Sequence, residues 1–246
     1  MIRLGARCCL FVFLVIGFLS GSTTWAGDRE IRVATDAGWP PMEMKGKDGK
    51  VCGFGVDVMD FIAKDQGFTV QYIVVPWDDI FASLENGKVD AIMSSVSITE
   101  ERKAKYDFSE SYFTAGQMLV VPKELAKKDL NGKVVGALKD STGLDVIQKQ
   151  KGLVIKSYDD IDKAFVDMKA GKVQGVVCDS PVAASYCLMK DEYKGKFVMT
   201  GEQFTREDYG IVVKKGNKEL LDKINHGIAD MKAKGVQQKL TAKWLK

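Results

Sequence analysis

The densest group of polar side chains in the chain is Ser94-Ser95-Val96-Ser97-Ile98-Thr99-Glu100-Glu101-Arg102. Its hydroxyls follow the apolar run Val89 to Met93 and lead into a helix start, with Thr99 as the N-cap and Arg102 at the third helical position. Backbone N–H groups at such a junction draw an anion, and a guanidinium holds a carboxylate through two parallel hydrogen bonds. The alternative is an ordinary capped surface helix whose arginine points to water. A second helix start, Asp140-Ser141-Thr142-Gly143, offers the same choice between a simple cap and an anion site. In Cys178-Asp179-Ser180-Pro181 a carboxylate follows an apolar strand and precedes a Pro-started helix, which suits an N-cap or a receptor for a cation. Asp36 ends the first strand, and Trp39 and Trp77 flank strand ends, as core residues or as aromatic walls. Taken together these groups match a zwitterion: Arg102 and the helix starts for a carboxylate, Asp179 for an ammonium, and aromatic walls for the remainder.

Other chemistries lack their parts. The chain has one histidine, His226, and no CxxC, so no Cys/His metal set can be assembled. No Ser-His or Cys-His pair suggests a nucleophile with its base, and no Gly-rich phosphate loop is present. A binding protein without metal or cofactor is expected, not an enzyme.

The elements that must position these residues alternate between strand and helix. Ile31 to Thr35, Phe68 to Val75 and Val89 to Met93 read as strands, and Val56 to Gln66 and Asp78 to Asn86 read as helices. The pattern then repeats, with strands at Val134 to Leu138, Leu153 to Ser157 and Val173 to Cys178 and helices at Gly143 to Lys149 and Asp159 to Ala170. Alternation of this kind implies α/β layers with right-handed crossovers. An internal repeat supports two lobes. Trp77-Asp-Asp-Ile80 leads through a helix into Gly87-Lys-Val89 and a strand, and Tyr158-Asp-Asp-Ile161 leads likewise into Gly171-Lys-Val173. Each lobe would then carry an equivalent loop at a strand's C-terminal end, where open α/β sheets bind ligands. Tyr112 to Val121 and Phe204 to Val213 read as crossings between the lobes. Lys218 to Lys246 reads as a long amphipathic helix broken near Gly235, with Leu221, Ile224, Ile228 and Met231 on one face.

Arg3 and Arg7, the apolar run Cys8 to Leu19 and the small residue Ala26 have the layout of a cleaved secretory signal peptide over residues 1–26. The apolar run is too short to span a bilayer comfortably. Loss of Arg3 and Arg7 brings the formal net charge of +3 closer to zero, which argues against nucleic acid or an anionic membrane as partner. Cys52, Cys178 and Cys187 would remain, an odd set that leaves at least one thiol unpaired.

Several stretches, in order, resemble the periplasmic polar amino acid binding proteins of ABC importers, the group that includes the lysine/arginine/ornithine- and glutamine-binding proteins. They are Ile31-Arg-Val-Ala-Thr-Asp36 with Trp39-Pro-Pro, Gly53-Phe-Gly-Val-Asp57, Ser95-Val-Ser-Ile-Thr-Glu-Glu-Arg102, Asp107-Phe-Ser109, Ser141-Thr-Gly143, Val177-Cys-Asp-Ser-Pro181, Tyr209-Gly-Ile-Val-Val213 and Ala242-Lys-Trp-Leu245. The resemblance covers residues 30–246. It implies a type II two-lobed periplasmic binding protein, with two open α/β sheets joined by two crossing strands. A first lobe would comprise 27–113 and 209–246, and a second 114–208. It implies a monomer that closes on a free amino acid and passes it to the permease of an ABC transporter in the inner membrane. Arg102 would clamp the α-carboxylate with backbone N–H groups of Ser97 and Thr142. Asp179, the Ser97 hydroxyl and the Ser95 carbonyl would receive the α-ammonium. Trp39 and Trp77 would stack on the side chain, and Asp36 and Lys139 would reach its tip.

Two departures bear on the ligand. Many members carry an acidic residue where this chain has Gly55, which weakens the case for a lysine or arginine ligand. Lys139 beside Asp36 suits an amide or acidic side chain better than a basic one. Asp140 also stands where a small residue is common. Competing expectations are a cyclohexadienyl dehydratase-like enzyme on the same fold, and a ligand-binding protein that docks on a sensor.

Overall fold

Apolar runs such as Val134 to Leu138 and Gly175 to Asp179 can be buried on both faces, which suits parallel strands covered by helices on each side. Two five-stranded sheets are built from such runs in the computed structural model, which describes residues 30–245. The expected signal peptide, residues 1–26, lies outside the described residues. The first sheet has the order Thr69–Val74, Glu30–Thr35, Ala91–Ile92, Val212–Lys214, Tyr106–Phe108. The second has the order Val154–Tyr158, Val134–Leu138, Gly175–Asp179, Gln117–Pro122, Phe197–Thr200. In each sheet the first three strands are parallel and the remaining pairings antiparallel. The two units are thus the same wound sheet made twice, and the repeat around Trp77 and Tyr158 marks equivalent points in both.

Helices α1 (Phe54–Gln66), α2 (Trp77–Glu85) and α3 (Glu100–Lys105) accompany the first sheet. Helices α4 (Thr142–Gln148), α5 (Ile161–Lys169) and α6 (Ser180–Ala184) accompany the second, and α6 continues as a π-helical turn over Ser185–Met189. The helix expected from Asp159 starts at Ile161 because Asp160 caps it, accepting from the Asp162 N–H at 2.7 Å. The chain returns through α7 (Lys218–Ala233) and α8 (Val236–Trp244), separated at Gly235, whose φ of 65° is left-handed. Leu220, not Leu221, completes the buried stripe with Ile224, Ile228 and Met231. Lys243 Nζ and Trp244 Nε1 both reach Asp57 Oδ2 of α1 at 2.7 Å, which fastens the C-terminal helices to the first sheet's layer.

Two crossing strands join the lobes. Phe113–Ala115 and Glu207–Tyr209 form an antiparallel pair of their own between the sheets. The three thiols Cys52, Cys178 and Cys187 are free. No helix among the described residues is long and apolar enough to cross a membrane.

A three-stranded sheet of Gly38–Trp39, Glu43–Lys45 and Val51–Cys52 was not expected. It carries Glu43 into the interior, where the side chain is fully buried and accepts from the Ser95 hydroxyl at 2.8 Å. Burial pushes this carboxyl up to about 8, so it is neutral over the acidic and neutral range. Its Oε1 stands 2.1 Å from where a Cβ on residue 55 would lie. Gly55 therefore has a steric cause: the space that an acidic side chain at 55 would enter is filled by the acid at 43. Overpacking of a buried site costs about 1–3 kcal/mol, so Gly55→Ala is expected to lower stability by that amount in urea unfolding. With Glu43→Ala already in place, the same change is expected to be neutral or favourable, because alanine outdoes glycine in a helix by about 1 kcal/mol.

Candidate functional site

Parallel α/β sheets leave a crevice beyond the C-terminal ends of their strands, and here the crevices of the two sheets face each other. The strand ends at Thr35, Ile92 and Asp179 bring Asp36, Ser94, Ser95, Ser97 and Asp179 to one cavity, which Trp39, Trp77, Arg102, Gln117, Leu138, Ser141, Thr142 and Cys178 complete. It holds about 430 Å³ of unfilled space, counting its mouth. The lobes are closed over it. Trp39 Nε1 of the first lobe donates to Asp179 Oδ2 of the second at 2.9 Å, and Arg102 donates to the Asp140 carbonyl across the cleft at 3.2 Å.

Arg102 is not a solvated helix residue. Thr99 caps its helix, and the guanidinium turns inward to lie 5.5 Å from the Trp77 ring and 5.6 Å from the Phe81 ring. Its hydrogen bonds go to two carbonyls, of Ser97 at 3.0 Å and of Asp140, and the charge remains available for an incoming carboxylate. Asp179 occupies the N-cap position of α6 but makes no capping bond; its carboxylate points into the cleft. Trp39 and Gln117 both donate to it, so it is held in place without a cation. Among the described residues, two of the three non-glycine residues with positive φ, Ser95 at 48° and Asp140 at 52°, stand at the cleft. Strain of this kind persists where the surroundings enforce it, and Glu43 does so at Ser95.

Of the residues expected from sequence, Asp36, Trp39, Trp77, Ser95, Ser97, Arg102, Thr142 and Asp179 line this cavity. Lys139 does not. Its ammonium lies 3.1 Å from Asp78 of α2 and 3.8 Å from Asp140, out at the rim and half exposed. The nearby Asp78 carboxylate competes for it, so Asp36 is left without the expected neighbour and faces Asp160 across the cleft instead. Sequence reading passed over Gln117, Glu207 and Glu43. Gln117 is the one polar residue heading an apolar strand, Glu43 sits between two methionines, and Glu207 is an acid inside a crossing, flanked by the exposed charges Arg206 and Asp208. Among the described residues no cluster of His, Cys, Asp and Glu could hold a metal ion.

Two sheets of one winding, joined by a pair of crossing strands and closed on a polar cavity, define a two-lobed binding protein. The family model of bacterial extracellular solute-binding proteins, family 3, matches residues 31–246, and the chain belongs to that family. It is 31% identical over 218 residues to the L-cystine-binding protein TcyJ of Escherichia coli (strain K12), covering 86% of this chain and 81% of that protein. An ancestral arginine-binding protein bound to arginine superposes with a TM-score of 0.83 at 38% identity, over 89% of this chain and all of that one. The ancestral amino acid-binding protein AncCDT-1, a precursor of cyclohexadienyl dehydratase, superposes with a TM-score of 0.79 at 35% identity, over 88% of this chain and 95% of that one.

The closed cleft holds more acid than base. Burial raises Asp36 to about 6 and Asp179 to about 7, the latter helped by the nearby Glu207 and opposed by its hydrogen bonds. Both lie above their ordinary value of 3.8, and Glu43 above 4.5. The folded, ligand-free protein therefore keeps protons that the unfolded chain releases. For a raised acid the stability is fully present below the unfolded value and is lost as pH rises to the folded one. The melting temperature of the ligand-free protein is accordingly expected to fall between about pH 5 and pH 8, and to fall less steeply in Asp179→Asn.

Proposed function

We propose that this protein captures a free amino acid between its lobes in the periplasm and delivers it, closed, to an ABC-type importer of the inner membrane. One observation carries the proposal: a buried guanidinium, Arg102, and a buried carboxylate, Asp179, line one closed cavity, and each is held by neutral donors or acceptors. That is the charge pattern of a zwitterion with its signs exchanged. The relatives named for cystine and arginine support it, as does the family.

The side chain is read by Trp39, Trp77 and Asp36. Without Lys139 in the cavity, an acidic side chain finds no cation beside Asp36, which withdraws one of the two classes favoured from sequence. A side chain that donates hydrogen bonds, amide or basic, fits the Asp36 carboxyl, which has the Gly38 backbone N–H beside it but no cation. The arrangement also resembles a precursor of an enzyme, and a cleft carboxyl raised to about 7 is in range for general acid chemistry. Asp179 is committed to Trp39 and Gln117, so incubation with prephenate or arogenate is expected to give no aromatic product.

The protein, unfolded and refolded to remove any carried ligand, is to be melted against each free amino acid. Ligand at a thousand times its Kd adds ~4 kcal/mol, which for a chain of this size raises Tm by about 8–16 °C. A shift of that order is expected with one or a few amino acids and is expected to vanish in Arg102→Ala; no shift with any of them would defeat the proposal. An ammonium against Asp179 favours its ionised form. Binding is therefore expected to release protons near pH 7 and to tighten from pH 6 to pH 8, as read by calorimetry in buffers of different ionisation enthalpy.

A further inference from the structure

Glu207 lies in the second crossing strand, outside the cavity lining, yet its carboxylate gathers hydroxyls from both lobes. Ser97 Oγ of the first lobe and Thr142 Oγ1 of the second each donate to Glu207 Oε2 at 2.6 Å, and Thr205 Oγ1 donates to Oε1 at 2.6 Å. A carboxylate only accepts, so each hydroxyl must spend its single proton on it. The consequence runs inward. With its proton committed, Ser97, which lines the cavity, has only lone pairs left to present there. Thr142 in turn can only accept, and it accepts from Gln117 Nε2 at 3.0 Å. That amide nitrogen also donates to Asp179, which leaves Gln117 Oε1, buried and without a partner, as a further acceptor in the same wall.

We infer that Glu207 is a positioning residue that makes this end of the cleft an all-acceptor wall, and so selects an ammonium over a hydroxyl on the ligand's α-carbon. An ammonium has three protons and no lone pair, so an all-acceptor wall satisfies it. An α-hydroxyl has one proton and would leave most of the buried acceptors unmet, which is costly. The inference rests on the amino acid capture proposed above and adds the residue that sets the selectivity.

In Glu207→Gln the carboxamide nitrogen has protons of its own to place. On the Oε2 side it makes Ser97 and Thr142 accept, and their protons turn toward the cleft; on the Oε1 side, beside Thr205, it leaves the wall as it was, so Glu207→Ala is the deciding variant. Wild type and variant are to be titrated with L-arginine, L-histidine and L-glutamine and with the 2-hydroxy acid of each. For whichever amino acid binds, wild type is expected to prefer it strongly to its hydroxy acid. In Glu207→Ala affinity for the amino acid is expected to drop about tenfold to a hundredfold, with little change for the hydroxy acid, so that the ratio narrows. Glu207→Gln is expected to narrow the ratio by the same amount or less, which provides a second reading should Glu207→Ala fold poorly. A loss of Tm in Glu207→Ala with the ratio unchanged would show a structural brace only and overturn the inference alone. A wild type that binds no free amino acid, these three or any other, defeats the proposed function, and this inference with it.

Discussion

Two buried opposite charges that line the same closed cavity without joining each other are the constraint on which the rest of this molecule depends. Burying a charge is costly unless it is paired or well hydrogen-bonded. Arg102 is kept by two carbonyls and two aromatic faces, and Asp179 by an indole N–H and an amide. None of these partners cancels a charge, so both ends stay polarised toward the cavity. The repeated sheet makes this possible, because it places one strand end of each lobe on either side of the cleft. Arg102 arrives on the helix that follows one, and Asp179 is the last residue of the other.

Around these charges the polar groups behave as one network with a direction. Glu207 at the hinge takes protons from Ser97, Thr142 and Thr205. Thr142 takes one from Gln117, and Gln117 and Trp39 give theirs to Asp179. The network crosses from one lobe to the other three times, through Glu207, through Trp39 and through Arg102. Complete satisfaction needs the closed form, and opening the lobes returns these groups to water. Glu43 belongs to the same economy on the far side of Ser95, as a neutral acid whose oxygen holds that residue at φ 48°.

What could be read from the chain alone was whatever has a local cause. The strand and helix alternation, the break at Gly235, the cap at Thr99 and the two crossings all follow from periodicity or from a few neighbouring residues, and the structure has each of them. Arg102 and Asp179 were legible as types at the right junctions, although only the fold decides between cap, surface charge and ligand site. Glu43, Gln117 and Glu207 were missed because their meaning lies at long range: Ser95 is 52 residues from Glu43, and Ser97 is 110 from Glu207. Lys139 shows the reverse failure. Its position along the chain suits the cleft, but a partner 61 residues away, Asp78, holds it at the rim. Gly55 looked like a lost acid until the carboxyl of Glu43 was found in its place.

That rim pair also bears on how the closed form is held. Lys139 and Asp78 close the mouth from opposite lobes, but both are substantially exposed, at 49% and 36%. An ion pair of that kind contributes about 0–1 kcal/mol and weakens with salt. Moving a two-state equilibrium from 1:99 to 99:1 takes about 5.5 kcal/mol of differential binding, far beyond what the rim supplies. The deep groups cannot supply it while the cleft is empty either, since loss of solvent holds the carboxyls of Asp36 and Asp179 there above their ordinary value. A ligand that brings a cation to Asp179 and an anion to Arg102 removes that penalty and gains two charge-assisted contacts at once. Closure is therefore coupled to the ligand through the same buried charges that recognise it, and the rim pair trims the equilibrium without deciding it.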